Sequence, residues 1–460
     1  MNIGLIYIII LCIWNSILFF DNSTGINVLL FTIPLLIYLF YVFKINKLIY
    51  NKWGLLFFIP IIILSIHYLI FNNVFDELNI LAIPCLYGLM YIFTVRPTDN
   101  IIVIIDNMVK VFLMPLECCE TLAKYILKHL SNLFHISENS KRVIKSLIIV
   151  LPIVFVVLAL LSSADLVFGK LFSWIFNIFD DISVPEITGR FINMFFLFFY
   201  MSITVYYLVN KFRETSKVTY KDINIDEFTI KLLFTILNII YIAFDIIQIR
   251  SLLLHRVSGG IVYSEYARQG FFQLMFITFI NLTIILLSKK SKKNKYNTSM
   301  SLFMIALTLV IIFSSIYRMY MYENAYGYTV LRLGVYTILF SEIILLIPTI
   351  IYILKDKFNV LKYYMIICIT IYSIINLIPV DYVIARRNVD RYYNKNKIDL
   401  PYLENYKYEN VSILKELYKK TDDKVIRMEL EDYFKILDDN REKNIFEYNL
   451  FKNDSYKRLK

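Results

Sequence analysis

The chain is poor in the residues that punctuate and cross-link soluble proteins. Its 460 residues include 11 glycines, 10 prolines, 5 cysteines, 4 histidines and 3 tryptophans. Charged residues make up 18%, against a soluble average of about 25%. Each scarcity excludes something. Cys12, Cys85, Cys118, Cys119 and Cys368 all lie in apolar stretches, so no disulfide framework staples the C-terminal region. Cys118-Cys119 has no second pair and no nearby ligand set, which argues against a metal site. No nucleophile elbow, zinc-ligand pair or dense acidic metal motif is present, nor a kinase, nucleotide-binding or DNA-binding module. No cofactor is indicated. Residues 1–20 lack a basic n-region and a small-residue cleavage site, so the first apolar run reads as a retained helix.

What the chain has instead is hydrophobicity: 58% hydrophobic residues and a mean hydropathy of +0.61. Runs long enough to cross a bilayer, roughly 17–25 residues each, recur throughout. They predict an all-α polytopic membrane protein with about eleven spans, at 3–20, 26–43, 53–71, 78–95, 143–168, 190–210, 229–250, 268–288, 300–318, 332–354 and 361–380. Four parts follow from this. Residues 1–95 hold four spans, and 96–142 form an amphipathic connection at the membrane interface, interrupted by Pro115. Residues 143–380 hold seven spans. Residues 381–460 form a charged tail of two to four short helices. In the tail, Val425, Met428, Tyr433, Phe434 and Leu437 are expected to share one apolar face. Asp399-Leu400-Pro401 and Thr421-Asp422-Asp423 read as helix starts.

Orientation follows from lysine and arginine counts in alternate connections, twenty-two on one side against seven on the other. The richer side is cytoplasmic, which places the N-terminus inside and the tail outside a cell membrane. The net charge of +11 then belongs to connections that set topology and meet anionic lipid, not to a nucleic-acid site.

Lysine outnumbers arginine 33 to 15, yet six of the seven outer basic residues are arginines: Arg190, Arg250, Arg256, Arg268, Arg318 and Arg332, beside Lys170. A planar, forked donor is suited to gripping a carboxylate or phosphate. Glu265, Arg268, Arg318, Glu323 and Arg332 are therefore the candidate ligand-binding set. Within the spans, Asp245, Gln248 and Glu342 are polar candidates, with Asn238, Asn281 and Asn376 facing the same interior. A buried ionisable group there is costly and marks function by default. His67 reads as structural.

Three segments carry a resemblance. They are Glu265-Tyr266-Ala267-Arg268-x-Gly270-Phe271-Phe272; Arg318-Met-x-x-Tyr322 with Tyr326-Gly327-x-Thr329-x-x-x-Arg332; and Ala385-Arg386-x-Asn388. Together they resemble an uncharacterised bacterial membrane family, a domain of unknown function of the 4153/4173 type, over roughly residues 140–405. The resemblance implies a polytopic bacterial membrane protein and no particular activity. Gln248 is followed here by Leu252-Leu253-Leu254-His255 and only later by Gly259-Gly260, a departure from the family's Tyr-Leu-Phe-Gly-Gly run.

Three functions fit these residues. The first is a non-enzymatic protein that binds, and in one form transports, an anionic lipid headgroup or small solute at its outer face. The second is an intramembrane enzyme acting on a lipid-linked substrate, with Glu265 or Glu323 as base. The third is a sensor or scaffold whose tail meets a partner. The oligomeric state is not encoded in any motif.

Overall fold

The computed structural model describes residues 2–20, 22–95, 103–108, 227–248, 271–288, 294–355, 358–404, 408–439 and 445–459, with four isolated positions between 194 and 201. The described residues form helices and turns without strands. The expected connection 96–142 and the spans 143–168 and 190–210 lie almost wholly outside them, as do Cys118, Cys119, Lys170, Arg190, Arg250 and Arg256.

Fourteen α-helices are described. In order they are α1 (Asn2–Phe19), α2 (Ile26–Ile45), α3 (Phe58–Ile70, entered through a 3-10 turn Lys52–Phe57) and α4 (Phe75–Val95), then α5 (Glu227–Gln248), α6 (Phe271–Ser288), α7 (Lys295–Tyr326) and α8 (Val330–Leu354). There follow α9 (Val360–Ile375), α10 (Val380–Lys395), α11 (Leu400–Glu404), α12 (Val411–Lys420), α13 (Lys424–Asp439) and α14 (Leu450–Leu459). Five stretches are long and apolar enough to cross a bilayer: α2, Lys52–Ile70, α4, α7 and α8. The pair α9 and α10, bent by 62°, makes a sixth if taken as one span. The protein is membrane-embedded, and the eleven expected spans become five or six among the described residues. The expected final span 361–380 is shorter than its apolar run. The helix stops at Ile375 because Pro379 cannot donate to a continuing ladder, and α10 sets off in a new direction.

The chain divides into two compact units. In the first, α1 and α2 form a hairpin whose core is Ile8, Leu11, Cys12, Tyr38 and Val42. Asn27 ties its turn: Oδ1 accepts from the backbone of Gly25 (2.8 Å) and Val28 (2.9 Å), and Nδ2 donates to Leu18 O (3.0 Å). Ser65 donates to Thr32 at 2.9 Å, joining α3 to α2. Gly54 lies against the backbone of Phe93 and Thr94, where a Cβ would come within 2.3 Å of Thr94 N.

In the second unit, α7 is the centre of a bundle, packed against α5, α6 and α8, with α9 on α8. Phe234, Leu282, Met304, Ile312 and Leu339 fill its core. At about 1.5 Å per residue, the 32 residues of α7 exceed a hydrocarbon thickness of about 30 Å, so its polar end, Arg318 to Tyr326, reaches past the apolar stretch. Helices α10 to α14 build a separate core around Leu403, Leu414, Leu417, Leu430 and Leu437, to which Phe75 from the α3–α4 connection also belongs. Asp423 caps α13 by accepting from Val425 N at 2.9 Å, and Asp399 accepts from Tyr402 N at 3.2 Å, both as the sequence indicates. The expected apolar face of α13 needs correction. Val425 and Met428 are exposed, and the buried stripe is Ile426, Leu430, Tyr433 and Leu437. Those four follow a four–three–four spacing, which holds one side of a 3.6-residue helix as the expected set does not.

Candidate functional site

The turn between α7 and α8 brings together two of the described members of the expected ligand set, Glu323 and Arg332. Gly327 ends α7 with its N–H donating to Glu323 O at 2.7 Å, and its φ of +89° is a left-handed conformation that favours glycine. Thr329 then caps α8, accepting from Arg332 N at 3.4 Å. Arg318 and Glu323 are buried on α7. The Glu323 carboxylate accepts from the Tyr336 hydroxyl at 3.1 Å. The Arg332 guanidinium sits 4.4 Å from the Tyr322 ring centroid and donates to Gly327 O. Arg332 thus closes the turn that carries it. Glu265 and Arg268 lie outside the described residues.

Helix α10 holds the other side of this turn. Asn388 accepts from Tyr328 N at 2.9 Å and donates to Tyr328 O at 2.8 Å. Arg391 donates to Ala325 O at 2.7 Å, and Lys395 to Asn324 O at 3.3 Å. Asn396, in the left-handed region at φ +53°, turns the chain so that Lys395 and Lys397 flank the same end of α10. Between these elements lies an open cavity of about 600 Å³ lined by Asn324, Ala325, Tyr326, Arg391, Lys395 and Lys397. Among the described residues three cations line it and no carboxylate does. Burial, reinforced by Glu323, pushes the Tyr328 hydroxyl above its ordinary range, which keeps it neutral beside the groove. The three cations were not among the expected site residues. The signal was the arginine density from Arg386 to Arg391, but which carbonyls would order it depends on tertiary contacts.

Polar residues also run through the bundle. Asn238 on α5 donates to Met300 O at 3.2 Å. The Tyr241 hydroxyl donates to Asn281 Oδ1 at 2.7 Å, and Asn281 Nδ2 donates to Thr308 Oγ1 at 3.0 Å, linking α5, α6 and α7. Asp245 is buried, and neither of its oxygens has a hydrogen-bond partner among the described residues. Glu342 is buried on α8 with Oε2 2.5 Å from Thr278 Oγ1 of α6. Gln248 is the last residue of α5. Asn376 does not join this set. It sits at the α9–α10 bend, where its side-chain oxygen accepts from Asn79 at 2.7 Å.

A second buried polar group surrounds that bend. His67 Nδ1 is 2.8 Å from Asn376 O and Nε2 is 3.2 Å from Asp76 Oδ1. A carbonyl only accepts, so Nδ1 carries a proton. Glu409 accepts from Asn73 Nδ2 at 2.9 Å, and burial pushes its carboxyl above the usual range. Asp381, 1% exposed, makes no hydrogen bond through either oxygen among the described residues. Among the described residues no group of three or more His, Cys, Asp or Glu side chains is placed to hold a metal ion.

No curated protein and no solved structure matches the chain. A family profile described as "Domain of unknown function (DUF4153)" matches residues 7–417, well beyond the stretch that carries the motifs. On that match across nearly its whole length, the chain belongs to the DUF4153 family.

Proposed function

We propose that this membrane protein binds an anionic group, the phosphate of a lipid headgroup or of a soluble solute, in the basic groove between the α7–α8 turn and α10. The observation that carries the reading is the groove's lining, three cations with no acid among the described residues. Lys397 is exposed, and Lys395 commits one of its three N–H donors to Asn324. Tyr326 stands half-exposed on the rim at the end of a long membrane helix, where aromatic rings are favoured at headgroup level. In this reading Arg332, Glu323 and Asn388 are positioning residues that hold the turn, and the lysine asymmetry puts the groove on the extracytoplasmic side of a cell membrane.

The test uses full-length protein in nanodiscs mixing phosphatidylglycerol with phosphatidylcholine, read by native mass spectrometry for retained lipid. The Lys395→Gln/Lys397→Gln variant is expected to lose about 2 kcal/mol of binding, at about 1 kcal/mol per lysine near a charged surface, or roughly thirty-fold in affinity. Competition by inorganic phosphate distinguishes a solute site from a lipid site. Equal retention of phosphatidylglycerol and equal phosphate binding by wild type and variant would overturn the proposal.

A further inference from the structure

The hydroxyl of Thr278 has one hydrogen and two oxygens within reach. Its Oγ1 lies 2.7 Å from Met275 O and 2.5 Å from Glu342 Oε2. A carbonyl oxygen has no hydrogen to give, so the contact with Met275 uses the threonine's own. While that hydrogen points to Met275 O, the contact with Glu342 needs a hydrogen from the carboxyl. Two arrangements resolve this: the hydrogen turns to Glu342 as a carboxylate, or it stays on Met275 O and Glu342, as a carboxylic acid, donates to Thr278 Oγ1. The surroundings of Glu342 favour the uncharged form. Thr278 is 0% exposed and Glu342 5%. Helix α6 carries no ionisable residue, and α7 has none between Tyr296 and Tyr317. The titratable groups on α9 are Tyr363, Tyr364, Cys368 and Tyr372, with Lys362 at its start, and α10, which also meets α8, carries Asp381, Tyr382, Arg386, Arg387, Asp390, Arg391, Tyr392, Tyr393 and Lys395. On α8 itself they are Arg332, Tyr336 and Tyr352. Among the described residues no salt bridge reaches Glu342, which sits about twelve residues from either end of α8.

We propose that Glu342 is a proton-exchanging group within the membrane thickness, and that Thr278 is the hydroxyl that switches with it. On release, the O–H bond of Glu342 breaks, the proton leaves to water, and the electron pair stays on the carboxylate. The single Thr278 hydrogen then swings from Met275 O to Glu342 Oε2. Each state keeps one hydrogen bond between Thr278 Oγ1 and Glu342 Oε2. The Tyr241–Asn281–Thr308 chain supplies further polar groups across α5, α6 and α7 of the same bundle. This activity is independent of the anion groove, which uses none of these residues.

The experiment is an infrared titration of the full-length protein in phosphatidylcholine nanodiscs, with isotope-labelled glutamate to separate glutamate carbonyl bands from those of Asp245 and other aspartates. The expected result is a protonated-carboxyl band that is isotope-sensitive, lost as pH rises and absent from Glu342→Gln. In Thr278→Val the carboxylate loses its donor, so the midpoint should move to higher pH. If Glu342→Gln does not fold, the labelled wild type and Thr278→Val still decide. An isotope-sensitive band that is absent, that persists unchanged across the titration, or that is indifferent to Thr278→Val overturns the proposal.

Discussion

Asn388 treats the backbone of Tyr328 as a strand would, accepting from its N–H at 2.9 Å and donating to its carbonyl at 2.8 Å. One side chain thereby holds both polar groups of the residue that follows Gly327. Asn388→Ala should cost about 1–3 kcal/mol, the penalty of leaving such groups unmade, measured as a drop in thermal unfolding temperature in detergent. Asn388→Asp should be no better, because an ionised carboxylate cannot return the donor.

Gly327 and Asn388 are also coupled sterically. A Cβ at Gly327 would stand 2.6 Å from Asn388 Oδ1, at a φ of +89° that side chains avoid. Gly327→Ala should destabilise by roughly 1–3 kcal/mol. In the double variant with Asn388→Ala, the steric part disappears and only backbone strain remains. The two costs should therefore sum to more than the double variant's cost, and additive values in a double-mutant cycle would rule out the contact.

The turn was legible in the sequence because Gly327 and Thr329 are local signals. The groove was not, because Arg391 and Lys395 are ordered by carbonyls more than sixty residues away. Asn376 misled for a related reason. An apolar run from Leu377 through Val380 concealed the break at Pro379, which turns Asn376 toward His67 and Asn79 rather than toward the polar face of α5. The burial of Asp76, Asp381 and Glu409 has no local signal, since each is an ordinary terminal or loop acid until the fold buries it.

Within the tail, Leu430 and Met428 test the corrected face of α13. Leu430 is 0% exposed and Met428 62%. Leu430→Ala should cost about 2–5 kcal/mol, while Met428→Ala should stay within about 0.5 kcal/mol. Hydrogen exchange of α12 and α13 measures both. Comparable protection in the two variants would restore the expected face.

Glu409 sets the sign of a pH response. Its carboxyl is raised by burial, so the folded tail holds that proton more tightly than the unfolded chain does. The stabilisation is complete below the ordinary carboxylate range and is lost as pH rises through the raised value. Hydrogen exchange of residues 408–420 should therefore speed up with pH beyond the intrinsic trend. Glu409→Gln, which keeps an oxygen for Asn73, should flatten that excess, and an unchanged profile in the variant would exclude Glu409 as its source.

The packing of Phe75 among the tail's leucines carries a consequence for biogenesis. The connection between α3 and α4 is made early, yet Asn73 finds Glu409 336 residues later, and the carbonyls of Tyr68 and Phe71 receive Asn449 Nδ2 378 or more residues later. A ribosome delivering residue 95 has completed a hairpin whose apolar and polar partners do not yet exist. His67 must wait for the α9–α10 bend, 309 residues on, before Asn376 meets it. A chain stopped short of α12 would then present an unfinished hairpin tip, the kind of surface by which membrane quality control tells a truncated product from a finished one.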